Sequence, residues 1–341
     1  MKISTVLLVG NFTKGSLESS YYNAFKERGY HVECFNIVQA EEKYCRFKPF
    51  GSIINKYIPI DAWLRKANRD LILTATKSNP EFIIYFGQNR FLANAIAQIK
   101  SMLLAKHILI WPDTLLNFGY LHIVSLPLFD CIASYSKSAV KSFIELGGNN
   151  VFWLPLAGDP ILHKRNQNQL PLIYDISFIG QWRPEREEAI SYILNNTNGI
   201  NVNIWGPDWK RRSKNKKILN SIRGKGLYGD DFSKVVQSSR INLNIIDDTN
   251  FPAANMRFFE IPVLGGIEVS SLCPELEHDF INKEHLFYYK NLDELVEIVN
   301  SILNRKDFDK IQTDAYKHVI QNHTYFRRIE QLIEYLNKCY S

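Results

Sequence analysis

The segment from Ile241 to Ser271, INLNIIDDTNFPAANMRFFEIPVLGGIEVSS, constrains the fold more than any other stretch of the chain. INLNII is a β-branched, apolar run of the kind that forms a strand buried on both faces, and DDTNFPAAN is a polar, proline-containing loop. NMRFFEIPVLGG then reads as a short helix that carries Arg257 and Glu260 and stops at Gly265-Gly266. A strand, a loop and a helix that begins near an arginine is how an open α/β sheet presents groups to a phosphorylated ligand.

The same alternation runs along the whole chain. STVLLVG, the helix LESSYYNAFKERG and HVECFNI form a β-α-β unit in which Gly10 and Gly15 leave room above the first strand end. No GxGxxG fingerprint is present, so a dinucleotide site is not expected there. Glu18, Ser19 and Ser20 fall near the helix start, where capping competes with any catalytic use. Residues 41–79 are helical and mixed, with Trp63 and Leu64 as core candidates. Strands follow at PEFIIYFG, HILIWPD, FDCIASYS and NNVFWLP, and Asp113 stands at the end of the second of these, able to face an acceptor hydroxyl or to cap the next turn.

A polar stretch from Leu156 to Leu170 is the expected linker, after which DISFIG restarts the pattern and ends on Gly180. Pro184 suits a first helical turn. Arg183 and Arg186 beside it could meet a diphosphate at that helix N-terminus or pair with Glu185, Glu187 or Glu188. NVNIWG is the next strand, PDWKRRSKNKKILNSIRGKG a basic connection, LYGDDFSKVVQSS a loop and helix, and HLFYYKN the closing strand. The final stretch HTYFRRIEQLIEYLNKC is an amphipathic helix with apolar positions at Phe326, Ile329, Leu332, Ile333 and Leu336. At 341 residues the chain suits two domains, expected at 1–160 and 171–322, with 323–341 as a helix crossing back to the first.

Five scattered cysteines without a CxxC pair argue against a disulfide framework or a zinc site and for a reducing cytosol. The N-terminus reads as a first strand rather than a signal peptide, and no window approaches the roughly 18 apolar residues of a membrane span. The formal charge of +6 is mild, but lysines and arginines gather between Lys210 and Lys217, as a solvated loop or as a surface for anionic lipid, nucleotide or nucleic acid.

Taken in order, DISFIGQWRPER, VNIWGPDW, GLYGDDFSKVVQSSRINLNI, the segment 241–271 and HLFYYKNLDELVEIVNSIL resemble the C-terminal half of GT-B glycosyltransferases, in particular the group 1-like branch related to the spore-maturation protein CgeB. FDCIASYSKSAVKSFIELGGNNVFWLPLAGDP matches the N-terminal half more loosely. The resemblance implies an α/β fold of GT-B architecture, two Rossmann-like doubly wound domains facing across a cleft, the first for an acceptor and the second for a nucleotide-sugar. It implies transfer of a sugar from a nucleotide diphosphate, UDP before GDP or dTDP, to a hydroxyl of a glycan or lipid-linked glycan.

Such a donor needs partners for ribose hydroxyls, positive charge for the diphosphate and a surface for the base. Glu260 suits the first, since a carboxylate accepts from both hydroxyls. Arg257, Arg186 and Arg183 suit the second; Trp205, Gly206 and Tyr228 suit the third. Gly180, Asn255 and Asp248 complete the expected donor site, although Asp247-Asp248 could equally be a loop-capping pair.

The catalytic candidates are Asp113, Glu18 and Arg257, with Asp113 or Glu18 as the base if the anomeric centre inverts. Glu260 aligns with the second glutamate of the E-x7-E motif of retaining relatives. The first falls at Pro252, and Glu268 is read as structural. Neither metal nor resident cofactor is expected, nor nucleic acid as a partner. The expected location is the cytoplasm, extending to the inner face of an anionic membrane. Competing readings are a GT-B protein that binds without catalysis, a solute-binding protein that would need an export signal, and a nucleotide-sugar epimerase.

Overall fold

The computed structural model describes residues 5–340 apart from 167, 169, 306 and 307. The chain divides into two compact units, Met1–Pro155 with Arg328–Ser341, and Leu156–Arg327. The segment read as a linker therefore groups with the second unit.

The first unit holds β1 (Thr5–Gly10), β2 (His31–Asn36), β3 (Phe82–Phe86), β4 (Lys106–Trp111), β5 (Cys131–Ser134) and β6 (Val151–Trp153). They form one parallel sheet in the order β2-β1-β3-β4-β5-β6. FIIYF of β3 is buried along its whole length, as a central parallel strand must be, whereas β2 at the edge is half-exposed. Two of the helices between them, Leu17–Glu27 and Ile37–Tyr44, start where a side chain accepts a free backbone N–H group. Ser16 accepts from Ser19 at 3.3 Å, and Asn36 accepts from Gln39 at 3.0 Å.

Above the end of β1, the space that the sequence leaves for a ligand is taken by Glu18. A Cβ on Gly10 would fall 2.5 Å from Glu18 Cγ, so only glycine permits this approach.

The second unit holds β7 (Tyr174–Ile179), β8 (Val202–Trp205), β9 (Ile222–Gly224), β10 (Ser239–Asn244), β11 (Glu268–Ser271) and β12 (Phe287–Tyr289). Their order is β12-β11-β10-β7-β8-β9, again all parallel. The basic connection between Pro207 and Gly226 contains two short helices, Trp209–Arg212 and Lys216–Ser221, and then β9. β9 is IRG, with one apolar residue beside a charged one and a glycine, and lacks the apolar or aromatic run by which the equally short β6 and β12 show themselves, which is why this strand is silent in the sequence.

Inside this sheet Glu268 is 1% exposed and accepts from the Asn244 amide at 2.8 Å. Burial pushes its carboxyl from 4.5 up to about 8, so the group is held neutral near pH 7.

The terminal helix Tyr325–Tyr340 belongs to the first unit from Arg328 onward. Ile329, Leu332 and Leu336 are buried, Tyr335 stacks on Phe152 with ring centroids 4.0 Å apart, and the buried Arg328 donates from Nε to the Pro155 carbonyl at 2.8 Å.

Two predictions follow from these interiors. Deleting residues 328–341 should cost the first unit about 5 kcal/mol or more from the three lost aliphatic contacts alone, read by denaturant unfolding; parental stability would contradict it. For Glu268, the unfolded chain gives up the proton above 4.5 while the folded chain keeps it to about 8. The group's contribution is therefore full below pH 4.5 and is lost as pH rises through 8. Glu268→Gln should gain on the parent by up to about 1.4 kcal/mol per pH unit over that window, and a pH-independent difference would rule the account out.

Candidate functional site

The second sheet runs outward from β7 through β8 to β9, then returns to β10 on the other side of β7. The loops that leave β7 and β10 therefore diverge, and a crevice opens at the carboxyl ends of these two strands. Two arginines span it. Arg186, from the helix Pro184–Asn196, donates from Nε to the Ile245 carbonyl beyond β10 at 3.2 Å and from Nη1 to the Gln181 carbonyl beyond β7 at 3.0 Å. Its Nη2 meets Asp247 Oδ2 at 2.8 Å. Arg257, the first residue of the helix Arg257–Val263, reaches back from Nε to the Ile179 carbonyl at 3.1 Å.

Local sequence explains why that helix sits there. Phe258, Phe259, Ile261 and Val263 are buried, Asn255 Oδ1 accepts from the Phe258 N–H at 3.3 Å, and Gly265, at φ +73°, ends the last turn. Arg257 thus projects from a fixed base. Its guanidinium carbon lies 4.4 Å from the centre of the Phe232 ring, and Nη1 is paired with Glu260 Oε2. Glu260 is 3% exposed, and its other oxygen stands 4.0 Å from Nε2 of His163. The His163 ring lies 4.9 Å from Phe232, and its Nδ1 is buried with no hydrogen-bond partner among the described residues. Burial holds His163 below its ordinary pKa, against the opposing pull of Glu260.

The expected donor residues fall into three groups. Arg257, Glu260 and Arg186 gather at the crevice with Gly180, whose carbonyl accepts from Trp209 Nε1 at 2.9 Å. Gly206 closes the neighbouring loop against it, since a Cβ there would lie 1.8 Å from the Gly180 oxygen. Asn255 supports them from behind, donating to Asn244 at 2.8 Å.

Arg183, Tyr228 and Asp248 are exposed at loop positions around these strand ends. Trp205 is buried and edge-on to Tyr174, centroids 5.3 Å apart, so its ring packs the sheet and offers no open face to a base. Of the two aspartates the buried one, Asp247, carries the structural work. Hydrogen bonds from Thr249 and Asn250 and the Arg186 charge outweigh burial and hold its carboxyl below the usual range.

In the first unit Glu18 is 8% exposed and Oε1 accepts from the Asn11 N–H at 3.0 Å and the Asn89 amide at 3.4 Å. Asp113 is half-buried and accepts from Gln88, from Asn117 and from the Thr114 N–H at 2.8 Å.

Neither His163, which lies in the polar segment read as a linker, nor Phe232 carries a sequence signal that marks it for this site. A cavity of about 1020 Å³ lined by Arg165, Arg240, Gly265 and Tyr316 opens beside Ser239, at the opposite end of β10 from Asn244. Among the described residues, the set able to hold a metal ion is Asp279, His318 and His323, whose ligand atoms lie within 4.8 Å of one another. It packs on Phe280, and His323 also lies 5.6 Å from the ring of Phe259 in the helix that carries Arg257 and Glu260.

Asp247→Ala would leave the Arg186 guanidinium buried without its counter-charge. A loss of about 3–5 kcal/mol in unfolding free energy is expected. A loss below about 1 kcal/mol would mean that the two carbonyls suffice to hold Arg186.

The sequence model of the glycosyl transferase-like family matches residues 185–334. No curated protein sequence matches the chain. Among solved structures, sucrose-phosphate synthase of Thermosynechococcus elongatus superposes with a TM-score of 0.68 at 11% identity, covering 99% of each chain. HepE of Anabaena, in complex with UDP and glucose, gives 0.66 at 13%, covering 98% of this chain and 100% of that one. A glycosyltransferase from Rickettsia africae gives 0.67 at 13%, covering 100% of both. At these identities the likeness is one of fold, and the family match is to the glycosyl transferase-like family as a whole rather than to the CgeB-related branch. Residues 185–334, almost wholly in the second unit, thus match the glycosyl transferase-like family, and the chain as a whole has the two-sheet α/β fold of these glycosyltransferase structures.

Proposed function

We propose that the second unit binds the nucleotide diphosphate of a sugar donor, a UDP-sugar in the first instance, at the crevice between β7 and β10. The observation that carries this reading is the pairing of the partly exposed Arg257 with the buried Glu260. In the free protein each charge satisfies the other. A nucleotide diphosphate brings an anion and two ribose hydroxyls together and so supplies partners to both at once. Arg183, exposed at the start of its helix, adds charge and backbone N–H groups for the phosphates. The HepE complexes with UDP and UDP-glucose favour uracil as the base.

In the reaction the bond from the anomeric carbon to the diphosphate oxygen breaks, and the nucleotide diphosphate leaves with the electron pair. A bond from the acceptor oxygen forms at the same carbon. Arg257 offsets the charge that grows on the leaving group, with no step assigned to a metal. The acceptor is a hydroxyl of a glycan or lipid-linked glycan, held by the first unit. If the centre inverts, the acceptor proton passes to Asp113, which is more open than Glu18 and not already held against a glycine. If it is retained, the donor phosphate takes that proton. A lipid-linked acceptor would put the reaction at the cytoplasmic face of a membrane. Binding without turnover is the second reading, favoured by proline at position 252 where retaining relatives carry a carboxylate.

Calorimetric titration with UDP, GDP and dTDP tests the donor site. Arg257→Ala and Glu260→Ala are each expected to weaken UDP binding about 10- to 100-fold, the range for a lost charge-assisted hydrogen bond. Unchanged affinity in both variants would remove the site assignment. UDP binding without sugar transfer or hydrolysis in any donor screen would favour the second reading.

A further inference from the structure

In the first unit, the helix Phe50–Tyr57 faces the wrong way for a globular protein. Its apolar residues Phe50, Ile53, Ile54 and Tyr57 follow the i, i+3, i+4, i+7 spacing by which a helix ordinarily meets a core. Yet the buried positions are Gly51 and Asn55, and the four apolar side chains are exposed, from 51% at Ile54 to 77% at Tyr57. Phe47 and Ile58, just outside the helix, are exposed as well.

The inward face is held by polar groups. Asn55 Nδ2 donates to the buried Glu41 at 3.1 Å, and its Oδ1 accepts from the Ile60 N–H at 2.9 Å. Arg90 donates to the Asn55 carbonyl at 2.9 Å and the Lys56 carbonyl at 3.0 Å, and lies 3.3 Å from Glu41. At Gly51 a Cβ would fall 1.8 Å from the Arg46 carbonyl oxygen, so the helix cannot sit this close with any other residue. Rolling the helix over to bury its apolar stripe would break all of these bonds. The outward stripe is therefore built in, and six exposed large apolar side chains in twelve residues demand a partner.

Charge identifies that partner. Arg46, Lys48 and Lys56 are exposed around the stripe, and no acidic residue occurs from Lys43 to Ile60. Two copies of this face meeting about a two-fold axis would bring like charges together, which disfavours self-association. A short helix with an apolar stripe, aromatic residues and a basic border fits a bilayer interface with anionic headgroups.

We propose that Phe47–Ile58 is a monotopic anchor that lies flat on an anionic membrane, with its apolar stripe among the upper acyl chains. It deepens the reading above by giving a lipid-linked acceptor a surface to be met on, and rests on that reading only there.

The test is sedimentation of the full chain with vesicles of phosphatidylcholine alone or mixed with phosphatidylglycerol, with UDP affinity measured alongside as a separate report on the donor site. Binding to the mixed vesicles that weakens with salt is expected. An Ile53→Asp, Ile54→Asp double variant should lose it. Replacing Arg46, Lys48 and Lys56 by alanine should weaken it about a hundredfold. Both variants change exposed side chains only and should keep the parental melting temperature and UDP affinity. The proposal is overturned if the parent ignores mixed vesicles or if the Ile53, Ile54 variant binds them as the parent does. It is equally overturned if the parent forms a dimer that this variant abolishes, with no vesicle binding.

Discussion

The second unit depends on keeping two diverging loops in register, and Arg186 is the group that does so. One guanidinium donates to a carbonyl beyond β7 and to a carbonyl beyond β10, while its charge is answered by Asp247. A buried arginine is costly unless paired, and here desolvation lowers its pKa while Asp247 opposes the shift. What the arrangement secures is geometry. With Ile245 and Gln181 fixed, the Ile179 carbonyl is in place for Arg257, and Arg257 is in place for Glu260. The two arginines thus divide the work: one is saturated by the protein and shapes the crevice, and the other is partly exposed and holds a single carboxylate.

The same division of polar groups explains how readable the site was. Strands such as FIIYF and INLNII declare themselves because burial on both faces demands unbroken apolar runs. The helix stop at Gly265 declares itself because a left-handed residue is needed there. Arg257 and Glu260 could be found because a strand, loop and helix in sequence bring them to the sheet edge.

The partners that complete the site come from elsewhere in the chain, and periodicity carries no record of them. His163 arrives from the polar segment after the first unit, and Phe232 from the helix before β10. Choosing between Asp247 and Asp248 depends on which carboxylate faces Arg186, a matter of one residue of loop that no pattern encodes. Trp205 misled for the opposite reason: an aromatic at a strand end suggests stacking on a base, but its neighbour Tyr174 covers it. The strand β9, IRG, lacks the apolar run that marks the equally short β6 and β12.

The first unit shows the principle in reverse. There the sequence of residues 41–79 reads only as helical and mixed, and which side of the stretch 50–57 turns to solvent cannot be known from spacing alone. Glu41, Asn55 and Arg90 decide that, and they are dispersed over about fifty residues of sequence. In both units a small buried polar network sets the direction in which neighbouring side chains point, and the hydrophobic pattern supplies only the scaffold.

The most direct test of the central claim is a crystal structure of the full chain with UDP bound. The account predicts the diphosphate within hydrogen-bonding distance of Arg257 and the ribose hydroxyls on Glu260, with the Arg186–Asp247 pair unbroken behind them. A nucleotide bound elsewhere, with Arg257 and Glu260 still paired to each other, would contradict it.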